Sequence, residues 1–182
     1  PTGSGTDIYG AEASPSRPAC GVAFGQIAGG HPMDRAIVLL SGGVDSAVTL
    51  WWAKQHGWEI RPLTFDYFGR PRQEQTAVQA LTSRAGTEPV RNVDLPFLKE
   101  VDDLRKEGFG NPRLLQAPEG YIPGRNLIFY GLTGYYAELD GVRYIIGGHN
   151  GIDPESFPDS SPKFFNFLKK IKNEGICCQM SK

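Results

Sequence analysis

The segment LSGGVDS, at residues 40–46, combines residue types that can hold a phosphate group. Gly42 and Gly43 permit a positive φ angle and carry no Cβ, so backbone N–H groups can approach an anion closely. Ser41 and Ser46 can each donate a hydroxyl hydrogen bond. We call this segment the glycine loop and predict that it binds phosphate. The alternative is a simple glycine turn with Ser46 as a helix N-cap.

Asp45 lies inside the glycine loop, where a carboxylate would repel phosphate unless a cation lay between them. Mg²⁺ binds carboxylate and phosphate oxygens together, so Asp45 is a candidate magnesium ligand. No lysine follows the glycines as in the Walker pattern G-x-x-x-x-G-K-[ST], and the spacing also differs from G-x-G-x-x-G. The loop therefore fits neither of these two phosphate-binding patterns.

The elements around the glycine loop predict an α/β fold. The apolar run AIVLL leads into the loop as a short strand, and SAVTLWWAKQHG continues from it as a helix whose N-terminal dipole favours an anion. Further strand-like runs, WEIRPLTFDY, EPVRNVDL and VRYIIGG, alternate with helix-like segments. This alternation predicts a doubly wound parallel sheet with helices on both faces, in which ligands bind beyond the carboxyl ends of the strands.

Residues 1–33 are rich in Gly, Pro, Ser and Ala and show no strand or helix period. We expect a flexible tail or extension there, before a domain at residues 34–182. The net charge of -1 provides no global basic field for nucleic acid, and no apolar run reaches the roughly 18 residues of a membrane-spanning helix. Cys20, Cys177 and Cys178 form no C-x-x-C pair, which predicts reduced cytoplasmic thiols and no zinc site.

Three later stretches add to the glycine loop: DYFGRPRQE at residues 66–74, PGRN at residues 123–126 and GGHNGIDPESFPDSSPKF at residues 147–164. The loop resembles the SGGxDS signature of the PP-loop ATP pyrophosphatase superfamily. Together with the three stretches, it resembles the 7-cyano-7-deazaguanine synthase family, which typically shows SGGxDS, a DYGQRH…E stretch, a PGRN helix start and a YPDCRP segment. The resemblance covers roughly residues 35–168.

The resemblance implies a fold of the adenine nucleotide alpha hydrolase type and an enzyme that cleaves ATP between the α and β phosphates. The implied substrate is 7-carboxy-7-deazaguanine. Its carboxylate would be adenylated, converted by ammonia to an amide and, after a second activation, dehydrated to the nitrile used for queuosine or archaeosine. ATP and Mg²⁺ are the implied cofactors, no membrane or direct nucleic-acid contact is expected, and a homodimer is a possible assembly.

Carried onto this chain residue by residue, the resemblance implies three sets of site residues. Catalytic roles fall to Asp45, Ser46 and Arg125. ATP or pyrophosphate would be bound by Leu40, Ser41, Gly42, Gly43, Val44, Asp45, Ser46, Phe65, Asp66, Arg125 and Gly147. The deazapurine acid would be bound by Tyr67, Arg70, Asn126, His149, Asn150, Asp153, Phe157 and Asp159.

The residue types alone leave alternatives open at several of these positions. The guanidinium fork of Arg125 suits phosphate or carboxylate, but it could also form a surface salt bridge. Arg70 could lie on a solvated helix start, Asn126 could cap a helix and His149 could be structural. The aspartates of the Asp-Pro and Pro-Asp pairs could form turns rather than contact the acid or Mg²⁺.

Two departures from the family pattern bear on the function. Ser160 and Ser161 replace the Cys and Arg of the family's PDCR. The family also continues to a four-cysteine zinc site, whose spacing the final GICCQMSK lacks. We therefore expect a domain without that zinc segment, as a fragment, a shortened product or a zinc-free lineage. The alternative functions are another PP-loop adenylating enzyme, acting on a different carboxylate or on tRNA, and an inactive nucleotide-binding fragment.

Overall fold

The computed structural model describes residues 21–24, 35–108, 111–117, 120–149 and 158–175. Within these ranges the strands are β1 Gly21–Phe24, β2 Arg35–Leu39, β3 Glu59–Asp66, β4 Arg91–Asp94 and β5 Tyr144–Gly148. The α-helices are α1 Val44–Gln55, α2 Arg72–Ala85, α3 Glu100–Glu107, α4 Pro112–Leu115, α5 Arg125–Leu139 and α6 Pro162–Gly175. Short 3-10 helices span Pro96–Lys99 and Pro158–Ser160. Among these described helices, none has both the length and the apolar character needed to cross a membrane.

The strands form one sheet in the order β1-β5-β2-β3-β4. Strands β5, β2, β3 and β4 run parallel, whereas β1 pairs antiparallel with β5. The predicted parallel α/β sheet is confirmed. The chain moves from β2 to β3 and β4 on one side and later returns to β5 on the other side, so the direction of winding reverses at β2. A ligand crevice is expected at this reversal, and the glycine loop begins there.

Helices cover both faces of the sheet because neighbouring residues of a strand point to opposite sides. On one face, Val38 packs in a cluster with Leu50 of α1 and Val78 of α2. On the other face, Ile37 packs in a cluster with Tyr130 of α5. These side chains are all at most 3% exposed. Burial on both faces explains the continuous apolar run of β2.

Strand β1 is the one described stretch within residues 1–33. Gly21–Phe24 pairs with β5, with Gly21 opposite Gly148 and Phe24 opposite Ile145. Without this pairing, the outer edge of β5 would expose unpaired N–H and C=O groups, and an extended segment satisfies them. So short a strand shows no period that a sequence pattern could reveal. The rest of residues 1–33 lies outside the described ranges.

Leu50→Ala should lower the free energy of unfolding by about 2–5 kcal/mol, because it removes a fully buried side chain between α1 and the sheet. Val48 lies on the same helix but is 50% exposed, so Val48→Ala should change that free energy by no more than about 0.5 kcal/mol. Urea denaturation of both variants measures the difference. Equal losses would contradict the placement of Leu50 in the core.

Candidate functional site

A cavity of about 350 Å³ lies at the carboxyl edge of the sheet, beyond the ends of β2, β3 and β5. Its walls come from the glycine loop, the end of β3 with its following turn, the start of α5 and the end of β5. The cavity therefore occupies the crevice that the strand order predicts. The predicted site residues that line it are Leu40, Ser41, Gly43, Val44, Asp45, Ser46, Phe65, Tyr67, Arg70, Arg125, Asn126, Gly147 and His149.

The remaining predicted site residues fall into two groups. Gly42, Asp66 and Asp159 are described but do not line the cavity. The others lie outside the described residues, and they are Asn150, Asp153 and Phe157.

Gly42 is the residue through which α2 contacts the glycine loop. Its φ angle is 95°, in the region that favours glycine. A Cβ at this position would overlap with the carbonyl oxygen of Glu74. The start of α2 can therefore lie directly against the loop only because residue 42 has no side chain.

The two serine hydroxyls of the glycine loop bond within the loop itself. Ser46 Oγ donates to the Gly43 carbonyl oxygen at 2.8 Å and accepts the Gly42 N–H at 3.1 Å. Ser41 Oγ accepts the Gly43 N–H at 3.2 Å and lies 3.3 Å from Ser46 Oγ. These bonds hold the loop closed around the start of α1.

The N-cap of α1 is Gly43, without a side-chain cap, and not Ser46 as in the simple-turn alternative. The first intrahelical bond runs from the Ala47 N–H to the Gly43 carbonyl oxygen. The earlier N–H groups of α1 have no acceptor within the helix, and they carry the positive end of its dipole. This end of α1 borders the cavity and can hold an anion.

Two adjacent glycines at the end of β5 let helices approach from both faces of the sheet. A Cβ on Gly148 would lie 2.6 Å from the carbonyl oxygen of Asp45, at the start of α1. A Cβ on Gly147 would overlap with the hydroxyl oxygen of Tyr130, on α5. The starts of α1 and α5 therefore border one narrow crevice.

Aromatic rings form a further part of the cavity wall. Phe65 stacks on Phe129 with ring centroids 4.5 Å apart and planes inclined by 16°. The ring of Tyr67 lies 5.6 Å from the same Phe129 ring. All three residues line the cavity, so its apolar part presents flat surfaces suited to a planar ring system.

Tyr130 and His149 form a hydrogen-bonded pair in the cavity wall. The hydroxyl oxygen of Tyr130 lies 2.7 Å from His149 Nε2. Phe165 of α6 packs against both rings. Burial raises the pKa of Tyr130 well above its usual range, so its hydroxyl keeps its proton at neutral pH. These contacts hold the imidazole in place at the wall of the cavity.

Asp159 binds the start of α5 instead of lining the cavity. Its Oδ2 accepts the backbone N–H of Asn126 at 2.9 Å, where the helix dipole favours a carboxylate. The Asn126 amide in turn donates to the Asp159 carbonyl oxygen and to Ser160 Oγ, both at 3.0 Å. Ser161 Oγ accepts the Phe164 N–H at 3.1 Å, in the first turn of α6. The serines that replace Cys and Arg are thus bound at two helix starts.

Asp66 and Arg70 also bond to protein groups around the cavity. Gln75 Nε2 donates to Asp66 Oδ1 at 2.6 Å, which ties the end of β3 to α2. Arg70 is only 8% exposed and donates to two backbone carbonyl oxygens. The solvated helix start considered for Arg70 is therefore excluded by its burial.

Two acidic residues, Asp45 and Glu74, line the cavity. In the part of the chain that the structure describes, no cluster of three or more His, Cys, Asp or Glu residues could hold a metal ion by itself. Mg²⁺ commonly uses one or two protein carboxylates and takes its other ligands from phosphate and water. The donor set at this cavity therefore fits a magnesium ion that is shared with a bound phosphate.

Several cavity residues were missed in the sequence. Phe129 and Tyr130 follow Arg125 and Asn126 by four positions, so the helical period could have placed them on the same face. No local signal identifies Glu74 as a lining residue, because it reaches the cavity through the contact of α2 with the glycine loop. The full set of missed residues is Leu39, Leu63, Glu74, Phe129, Tyr130, Gly148 and Ser160.

The fold and this cavity define the class of α/β proteins that carry a glycine loop at the carboxyl edge of a parallel sheet. The family described as "QueC: Queuosine biosynthesis protein QueC" matches residues 35–182. The chain belongs to this QueC family.

The chain is similar to several proteins named 7-cyano-7-deazaguanine synthase. It is 36% identical to that of Erythrobacter litoralis over 147 residues, which cover 76% of this chain and 59% of the relative. It is 30% identical to that of Oceanobacillus iheyensis over 150 residues, covering 78% and 66%, and 33% identical to that of Thermoplasma acidophilum over 146 residues, covering 78% and 61%. The chain thus spans less than two thirds of the length of these relatives.

One solved structure is described as a predicted subunit of tRNA methyltransferase from Methanocaldococcus jannaschii. It aligns with this chain at 18% identity and a TM-score of 0.49, covering 78% of this chain and 64% of that one.

Gly42→Ala should weaken binding of inorganic pyrophosphate by about tenfold or more, because the new Cβ displaces the loop from the Glu74 carbonyl. Gly57 has a similar φ of 74° but open space around it, so Gly57→Ala is a control for backbone strain alone. Calorimetric titration measures both. Equal affinity in the two variants would contradict the steric role of Gly42.

Asp159→Ala should lower the free energy of unfolding by about 0.5–2 kcal/mol, because the start of α5 loses its carboxylate acceptor. Asp159→Asn keeps an acceptor oxygen and should lose less. Thermal unfolding of both variants tests this order. The opposite order would show that the Asn126 N–H bond is not what Asp159 contributes.

Proposed function

We propose that the chain contains the nucleotide site of an ATP-dependent, nitrile-forming synthase that acts on 7-carboxy-7-deazaguanine. The observation that carries the proposal is the glycine loop at the start of α1, which borders a cavity in a chain of the QueC family. An anion site beside stacked aromatic rings suits a nucleotide or a purine-like acid. Relatives carry the name 7-cyano-7-deazaguanine synthase, and we extend that activity to this chain.

The first step of the proposed reaction is adenylation of the acid. A carboxylate oxygen attacks the α-phosphorus of ATP, the bond to the bridging oxygen breaks, and pyrophosphate leaves. The leaving pyrophosphate would be stabilised by the glycine loop and by the N–H groups at the start of α1. Because no lysine reaches these phosphates from the loop, the remaining charge calls for a cation.

Asp45 and Glu74 are the residues that would hold Mg²⁺ against the phosphates. When bound, the ion would neutralise the negative charge that develops on the leaving pyrophosphate. Arg125, the first residue of α5, lines the same cavity and would contact the α-phosphate or the carboxylate of the acid. Ser46 shapes the loop through its own hydrogen bonds.

The nitrile requires two further steps. Ammonia attacks the acyl carbon of the adenylate, AMP leaves, and an amide forms with release of one proton. The amide oxygen then attacks the α-phosphorus of a second ATP, the bond to the bridging oxygen breaks, and a second pyrophosphate leaves. Loss of AMP and of two protons from the nitrogen gives the nitrile. The wall of Phe65, Tyr67 and Phe129 would hold the planar ring of adenine or of the deazapurine.

The wider parts of this proposal concern partners and location. It includes ammonia as the nitrogen source, a homodimer, a cytoplasmic location and substrate contacts by Asn150, Asp153 and Phe157.

Exchange of labelled pyrophosphate into ATP, with and without 7-carboxy-7-deazaguanine, tests the central claim, which is that ATP adenylates this acid. We expect exchange that depends on this acid. Exchange with a different carboxylate would assign another substrate, and ATP binding without any exchange would indicate an inactive nucleotide-binding domain.

Asp45→Ala should reduce the exchange by about 10²-fold or more, because the phosphates lose a magnesium ligand. Asp45 is exposed, so its removal should change the free energy of unfolding by no more than about 0.5 kcal/mol. Asp102→Ala on α3, outside the cavity wall, is the matched control. Exchange that survives in the Asp45 variant would refute this role.

A further inference from the structure

Arg70 is almost fully buried beside the glycine loop, although its sequence position predicted a contact with substrate. It is 8% exposed. Its Nη1 donates to the Phe65 carbonyl oxygen at 2.6 Å, and its Nη2 donates to the Ser41 carbonyl oxygen at 2.8 Å. The two acceptors belong to different elements, since Phe65 lies near the end of β3 and Ser41 lies in the glycine loop.

The guanidinium bridges β2 and β3 where their direct pairing ends. The last paired residues are Leu39 and Leu63, and one further backbone bond joins the Leu40 N–H to the Leu63 carbonyl oxygen at 2.9 Å. Beyond it the chain leaves β2 to form the glycine loop. The planar fork of an arginine can donate to two fixed acceptors at once, so Arg70 extends the connection between the strands to Ser41.

The segment that contains Arg70, residues 67–74, makes a second contact with the glycine loop, at Gly42. The Glu74 carbonyl oxygen lies directly against Gly42. The Arg70 N–H also closes a turn onto the Tyr67 carbonyl oxygen at 3.2 Å. Residues 67–74 therefore contact Ser41 and Gly42 in succession, and they fix the path of the loop backbone.

The charge of Arg70 lacks a carboxylate partner within the described ranges. The ion pairs in that part of the chain involve other residues, and the Arg70 side chain donates to two neutral carbonyls. A buried charge is costly unless an opposite charge compensates it, and carbonyl dipoles offset only part of that cost. Since Arg70 lines the cavity, an anion in the glycine loop would supply the compensating charge.

We infer that Arg70 is a positioning residue that shapes the glycine loop through Ser41 and provides it with a buried positive charge. It acts on the pyrophosphate part of ATP and not on the deazapurine acid. The inference rests on the proposed function for the identity of both ligands, but its central measurement needs inorganic pyrophosphate alone.

The experiment compares Arg70→Lys with Arg84→Lys, an exposed arginine at the far end of α2. Lysine keeps the charge but cannot reproduce the planar fork. We expect Arg70→Lys to weaken binding of inorganic pyrophosphate by roughly 10- to 100-fold, while the affinity for 7-carboxy-7-deazaguanine stays within about twofold of wild type. In the exchange assay, KM for ATP should rise by more than kcat falls. Arg84→Lys should match wild type throughout.

Three outcomes would overturn the inference. Loss of acid affinity with unchanged pyrophosphate affinity would make Arg70 a substrate contact. Unchanged affinity for both ligands would remove any role at the loop. Equal loss of both affinities, in step with a lower unfolding temperature, would make Arg70 a general part of the core.

A second measurement on the wild-type protein keeps the inference testable if Arg70→Lys does not fold. Inorganic pyrophosphate should slow amide hydrogen exchange both in the glycine loop and in the turn at residues 67–70, because Arg70 links them. Protection confined to the loop would contradict the link. If wild type binds pyrophosphate but the acid supports no exchange, the proposed function fails, and the pyrophosphate results still decide the role of Arg70.

Discussion

Direct contacts between backbone groups at the ends of β2 and β5 determine where the functional groups of this protein can lie. The Glu74 carbonyl contacts the glycine loop at Gly42, and the Asp45 carbonyl contacts the end of β5 at Gly148. A backbone carbonyl cannot move aside as a flexible side chain can, so any Cβ at these two glycines would push helices away from the sheet. The position of α1, and with it the anion-binding end of the helix, depends on these contacts.

Many polar side chains near the cavity are bound to other parts of the protein. The carboxylate of Asp66 accepts a bond from Gln75, that of Asp159 accepts the N–H of Asn126, and Arg70 donates to two carbonyls. Polar groups that leave water need partners, and these bonds satisfy them before any ligand is present. They also explain how a small cavity between loops can keep a defined shape.

The cavity combines two chemical environments. Backbone N–H groups at the start of α1 favour an anion, and the stacked rings of Phe65 and Phe129 favour a flat apolar group. A nucleotide has both features in one molecule, as does a purine-like acid. Membership of the QueC family agrees with a ligand of this kind, and the strand order explains why both environments meet at β2.

Local patterns in the sequence were sufficient to predict the architecture of the sheet and the position of the glycine loop. Strand and helix periods depend on neighbouring residues, so AIVLL followed by SGG and a helix was readable without tertiary information. The resemblance to the family's PGRN helix start agrees with the structure, in which α5 begins at Arg125. The sequence did not predict the short strand β1. This strand forms because it pairs with the edge of β5, and no pattern within its own residues indicates that pairing.

The sequence by itself determined that the glycine loop and the strand ends come to the carboxyl edge of the sheet, because strand ends and loop positions follow from local periodicity. Only the tertiary structure decided what each polar side chain bonds to. Arg70 and Asp159 both have residue types that suit a ligand, yet one holds the glycine loop and the other holds the start of α5. Tertiary packing determines which groups distant in the sequence become hydrogen-bond partners, because a buried polar group bonds to a donor or acceptor that the fold places next to it.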